Sequence, residues 1–163
     1  MTSDMVGELV PALPWRRQLP LLGVGAASVV AGGLAAAVTG PTDWSHGSWV
    51  AAFLVLVAGV TPIGIGVAQA SLPITTPSAA FVAAQVVLWN VGCAAVVAGT
   101  LLSSPLTVAV GSGPLVAVLA MSVLALRGRP RAPRSVVLVG YRLLVLVVLA
   151  SVPIGIVLAF ARR

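Results

Sequence analysis

Five stretches of the chain, at about 21–39, 48–70, 78–102, 106–126 and 135–160, are long and apolar, and charge is nearly confined to the segments between them. A helix rises about 1.5 Å per residue and a bilayer's hydrocarbon core is about 30 Å thick, so roughly 20 apolar residues make one crossing. Each stretch meets that length. The expected fold class is therefore all-α: a polytopic helical membrane bundle of about five transmembrane helices. The first stretch is Gly-rich and only modestly hydrophobic; if it did not insert, four spans would remain. Residues 1–20 are expected to form a cytoplasmic tail, and residues 21–163 a single transmembrane domain.

Composition supports the same solvent. The chain is 60% hydrophobic and 7% charged, with a mean hydropathy of +1.15, whereas soluble domains carry about 25% charge. Nine Arg and no Lys oppose Asp4, Glu8 and Asp43, for a net charge of +6. A basic balance often signals nucleic acid, but these arginines cluster at span ends and no soluble basic domain presents them. Anionic lipid headgroups are the expected counter-charge. The missing Lys and the abundance of Ala, Val and Gly point to a GC-rich bacterial genome. In composition and pattern the chain resembles small multi-pass membrane proteins of high-GC bacteria, a resemblance that transfers no functional residue.

Arginine placement sets the expected orientation. With the N-terminus in the cytoplasm, Arg16 and Arg17 lie inside, as does the basic connection holding Arg127, Arg129, Arg131 and Arg134, in accord with the positive-inside rule. Arg162 and Arg163 then fall outside, a mild violation. Trp15 at one boundary, and Trp44 and Trp49 at the other, match the aromatic belts of membrane proteins. The expected location is a bacterial plasma membrane. Arg16-Arg17-Gln18-Leu19 before an apolar run and Ala35-Ala36-Ala37 superficially matches a twin-arginine export signal, but four further apolar spans follow where soluble cargo is expected.

Small residues indicate how the spans pack, because lipid gives helices no hydrophobic incentive to associate. Gly23, Ala27, Ala31 and Ala35 recur every four residues in the first span; Gly92, Ala95 and Gly99 form a second stripe in the third. These two spans are the expected centre of the bundle.

Polar residues inside spans carry an insertion cost and are the best pointers to function. Arg142 lies about 10 Å into the fifth span, within reach of the headgroups by snorkelling. Gln85 stands at similar depth in the third span, Gln69 ends the second on the same side, and Tyr141 adjoins Arg142. Together Arg142, Tyr141, Gln85 and Gln69 define a candidate cytoplasmic vestibule for an anionic small molecule or lipid headgroup. Trp89 and Asn90 stand nearer the midplane. Residues 85 and 90 are roughly 140° apart around a helix, so Asn90 is expected to act as an interhelical clasp instead of a ligand contact.

Pro62-Ile63-Gly64-Ile65 in the second span recurs as Pro153-Ile154-Gly155-Ile156 in the fifth. Proline removes a helix hydrogen bond, so kinks are expected at Pro62 with Gly64 and at Pro153 with Gly155. Oppositely directed broken helices are also the mark of an inverted repeat.

Conventional catalytic chemistry is sparse. The one His is His46, in a short connection, and Cys93 is the one Cys, so no metal centre or catalytic pair is expected within one chain. A haem shared between His46 residues of two subunits is a remote alternative; no cofactor is expected. No span carries a carboxylate for proton relay. The expected function is a non-catalytic accessory or binding subunit, with a small anion or lipid carrier or channel as the alternative. Its expected partners are lipid, a membrane protein or a second copy of the chain. An active site completed by a partner chain stays open at this stage.

Overall fold

A computed structural model describes residues 14–72, 77–126 and 136–161. The N-terminal segment through residue 13, the arginines at 127, 129, 131 and 134, and the C-terminal pair lie outside the described residues. Five continuous helices follow one another: Pro14–Thr39, Gly47–Ser71, Ala79–Leu101, Pro105–Ala125 and Val136–Ala161. The first four are long and apolar enough to cross a membrane, and there is no strand among the described residues. This is the architecture of a multi-pass helical membrane protein.

The first helix begins at Pro14, ahead of the apolar stretch expected from residue 21. Hydropathy excludes Arg16 and Arg17, but helix geometry does not, and proline is well placed in a first helical turn. Side-chain caps start two other helices. Ser78 accepts from the Phe81 amide at 3.2 Å, and the Ser104 hydroxyl meets the Thr107 hydroxyl at 2.9 Å, with Pro105 in the first turn. Ser104 and its neighbour Ser103, whose φ is +52°, reverse the chain in a tight turn between the third and fourth helices. The Ser104 amide closes it on Gly99 O at 2.8 Å.

Glycine sets the closest approaches. A Cβ added to Gly99 would fall 2.7 Å from the Val108 nitrogen, and one added to Gly111 would fall 2.6 Å from Ala95 Cβ. The third-helix stripe of Gly92, Ala95 and Gly99 therefore packs on the fourth helix, as small-residue packing in lipid requires. The first-helix stripe does not. Gly23 faces open space, and Ala27 and Ala31 are exposed. The contact face is instead Gln18, Gly25, Gly32 and Thr39, spaced by seven. Each step of four residues drifts about 40° around a helix, whereas each step of seven drifts only about 20°. The heptad series holds its face over three steps; the four-residue series turns away.

A Cβ on Gly25 would lie 2.7 Å from Gly59 O in the second helix, and one on Gly32 would lie 2.9 Å from Ala51 O. The second helix, not the first, is the centre of the bundle: its apolar window is 44% buried, against 17% for the first. Gly64 accommodates Leu144 of the fifth helix on its other side.

The second helix is also where the backbone departs from α geometry. Leu54–Val60 is a π-helical stretch of seven residues, and the Thr61 hydroxyl donates to Leu56 O at 3.1 Å. Pro62 follows directly. It has no N–H for the Ala58 carbonyl, and its ring crowds that carbonyl in an α-helix. Widening the preceding turns to i→i−5 bonding relieves both problems. No such stretch precedes Pro153, which sits exposed in a continuous α-helix. The two Pro-Ile-Gly-Ile segments thus occupy different backbones and surroundings, and do not form the matched broken helices of an inverted repeat.

Candidate functional site

Buried polar side chains gather at the end of the bundle where Arg16 and Arg17 begin the first helix. Each of the five helices contributes one within its first or last two turns: Gln18, Gln69, Gln85, Ser122 and Tyr141. Trp89 stands one turn deeper on the face of Gln85 and is 1% exposed. All three glutamines are fully enclosed.

Helix register explains the gathering. The contacts of Gly99 with Val108 and of Gly92 with Leu115 fix an antiparallel register between the third and fourth helices. Two turns further along, that register sets Gln85 opposite Ser122, and Gln85 Nε2 donates to Ser122 Oγ at 2.9 Å. Ser122 in turn donates to Val118 O at 2.8 Å. Between the first and second helices, Gly25 faces Gly59 and Leu22 faces Gly66; the next turn brings Gln18 to the level of Gln69. The Tyr141 hydroxyl packs beside Ser122, but its oxygen has no partner within hydrogen-bond geometry.

Most of these groups are unsatisfied. Among the described residues, seven buried side-chain atoms lack a hydrogen-bond partner: both amide atoms of Gln18 and of Gln69, Gln85 Oε1, Trp89 Nε1 and Tyr141 Oη. At about 1–3 kcal/mol each, leaving them dry would cost on the order of 10 kcal/mol. That rivals the whole stability of a typical domain. That cost makes these atoms the polar groups of the bundle with most to gain from a partner. The set is mixed, with amide, indole and hydroxyl donors beside amide acceptors. It holds no carboxylate or guanidinium.

The sequence-expected residues divide accordingly. Gln69, Gln85 and Tyr141 are buried at one end of the bundle. Arg142 is exposed, because the residue after inward-facing Tyr141 is turned about 100° around the helix. Its guanidinium belongs to the bundle surface, within reach of headgroups, and is not the fixed charge of an internal vestibule. Asn90 is exposed as well, and its Nδ2 donates to Val86 O of its own helix at 2.8 Å. Among the described residues it makes no bond to another helix of the chain. Its flanks, Val87 at 60% and Val91 at 56% exposure, mark the outward face. Trp89 does pack in the core. Pro62 is buried in the second helix, beside half-buried Gly64. His46 lies exposed, its Nδ1 3.1 Å from Ser45 Oγ, and among the described residues no group of His, Cys, Asp or Glu is arranged to hold a metal ion. Trp15 and Trp49 are exposed near helix ends, and Trp49 stacks on Phe53 at 5.3 Å between ring centroids.

Gln18 and Ser122 escape a reading based on apolar spans. Gln18 precedes the first hydropathy window, and Ser122 is too small to mark a site alone. The available signal for Gln18 is its place in the heptad series with Gly25, Gly32 and Thr39. No protein-family model, curated protein or solved structure matches the chain.

Proposed function

We infer that the chain is a non-catalytic binding subunit embedded in a bacterial plasma membrane, with its N-terminus in the cytoplasm. The observation that carries this reading is the set of seven unpartnered polar atoms at one end of the bundle. Burial on this scale is costly unless something polar is held there. Tyr141 is the only titratable side chain among the six, so the site offers hydrogen bonds but no acid–base pair, which supports binding over catalysis. Arg16, Arg17 and Arg142, exposed at the same end, suit anionic headgroups and agree with a cytoplasmic placement. The broad exposed face of the first helix suits a membrane-protein partner or a second copy of the chain.

A carrier is the second reading, favoured by the π-helical stretch Leu54–Val60 in the same helix that supplies Gln69. Such stretches mark helices with alternative backbone pairings. The buried polar set among the described residues is uncharged, which suits a neutral cargo.

Purification in native lipid, followed by mass spectrometry of bound protein and small molecules, tests the principal reading. A stoichiometric partner subunit or retained small molecule is expected. A lone chain carrying neither, with solute flux across vesicles, would favour the carrier instead.

A further inference from the structure

We propose that the outward face of the third helix, Ala79–Leu101, joins the chain to a second copy of itself in a parallel two-fold dimer, with Asn90 paired to the partner subunit's Asn90 across the axis. The proposal stands apart from the polar set at the helix ends and uses none of its residues.

Asn90 is the one Asn of the chain and the central residue of its helix, about 16 Å from either end. In a bilayer that depth is the middle of the hydrocarbon, where a short side chain cannot reach the headgroups. The glutamines at 18, 69 and 85 are enclosed by the bundle, whereas Asn90 is exposed on its flank. Its Nδ2 donates to Val86 O at 2.8 Å, which uses one of two amide protons. Among the described residues, the other proton and the carbonyl oxygen have no partner. Lipid offers none either, so an amide at this depth is stabilised by a polar group on another helix.

The residues around Asn90 have the spacing of a helix–helix seam. Ala80, Ala83, Val87, Asn90, Ala94 and Val97 recur at alternating steps of three and four, and all are exposed except half-buried Val97. Such a series averages about 3.5 residues per turn and keeps one heading between helices that cross at about 20°. The opposite face of the helix is already occupied, since Gly92 and Gly99 pack on the fourth helix. The alanines let a facing backbone come close, and Asn90 is the one polar member of the series. A single Asn in an apolar seam fixes register and the number of helices.

Two arguments favour a second copy over an unrelated helix. Copies inserted in one membrane share an orientation, so a two-fold axis along the membrane normal sets their third helices parallel and brings Asn90 to its counterpart at equal depth. A primary amide is also self-complementary: each Oδ1 accepts the free Nδ2 proton of the other, and both bonds to Val86 stay intact. An unrelated helix would need a matching polar group at that level.

Sedimentation equilibrium of the full chain in density-matched micelles measures the association, and a reversible monomer–dimer equilibrium is expected. Asn90→Leu should raise its dissociation constant about tenfold, a ratio equivalent to about 1.4 kcal/mol. Asn90→Gln keeps an amide and should stay within about threefold of the native chain. Circular dichroism checks that both variants retain their helices. Disulfide crosslinking with copper phenanthroline in phosphatidylcholine vesicles locates the interface. In a Cys93→Ala background, Val87→Cys should link two chains, while Leu146→Cys, as exposed on the fifth helix as Val87 is on the third, should not.

A chain that stays monomeric at every protein-to-detergent ratio would overturn the proposal, as would Asn90→Leu dimerising as tightly as the native chain. Equal crosslinking through Val87→Cys and Leu146→Cys would overturn it too. Crosslinking of Val87→Cys to a different protein in native membranes, in place of a second copy, would assign the face to that protein and refute self-pairing.

Discussion

Gln85 and Ser122 join the third and fourth helices through a buried hydrogen bond of 2.9 Å, with the Gln85 carbonyl left unpartnered beside it. In a bundle otherwise held largely by glycine contacts and aliphatic packing, this side-chain bond crosses directly between two helices. It fixes the register of the two helices where the polar side chains gather. Ser122→Ala removes the acceptor and orphans the whole Gln85 amide. The expected loss is about 1–2 kcal/mol, between the small interhelical bonds measured in membranes and the cost of an unsatisfied amide. Adding Gln85→Leu to Ser122→Ala should recover much of that loss. Reversible unfolding in mixed micelles measures both variants; a double variant as unstable as the sum of the singles would show that the pair is not coupled.

Glycine positions separate cleanly. A Cβ at Gly25 would fall within 2.7 Å of Gly59 O, while one at Gly23 meets nothing within 4 Å. Gly25→Ala should therefore cost about 1–3 kcal/mol through forced backbone separation. Gly23→Ala should be neutral or stabilising by up to about 1 kcal/mol. Thermal unfolding of the two variants decides the matter, and a reversed order would refute the first–second helix interface.

Asn90 faces outward and bonds to its own helix. Asn90→Leu is expected to change the unfolding free energy of the isolated chain by less than about 0.5 kcal/mol. A loss above about 1 kcal/mol in dilute micelles would mean that the side chain has an interhelical partner after all.

The two prolines should also respond differently. Pro62→Ala restores an N–H for the Ala58 carbonyl and removes the reason for the wide turn, so amide exchange over Leu54–Val60 should slow. Pro153→Ala should leave that segment unchanged, because its helix makes no π-helical turn. Site-resolved hydrogen exchange reads each outcome; identical effects of both substitutions on Leu54–Val60 would contradict the local account.

Span length and hydropathy made the helix count and most helix positions legible from the sequence, because lipid demands about 20 apolar residues per crossing regardless of neighbours. The sequence also singles out Gln69, Gln85 and Tyr141, since a polar group within an apolar span needs a partner or a function, and all three are buried. Which face of each helix turns inward was harder to read. On the first helix two small-residue series compete, and only the seven-residue one keeps its heading long enough to pack. Arg142 shows the same difficulty at shorter range: one residue separates it from buried Tyr141, and that step turns it outward. The π stretch could not be read from Pro62 alone, since Pro153 has the same local sequence and a regular helix. Its formation depends on the crowded centre of the bundle, where Gly59 and Gly25 hold two backbones together.

Collision accessibility of spin labels along the first helix tests most directly whether these helices sit in lipid with a polar set turned inward. In a Cys93→Ala background, single labels replace residues 18, 21, 23, 27, 30 and 34 in membranes containing oxygen or a water-soluble nickel chelate. Oxygen contact should peak at 23, 27, 30 and 34 and fall at 18 and 21, with the nickel reagent excluded from the middle of the helix. Nickel contact along the entire helix, or oxygen maxima at 18 and 21, would contradict the account.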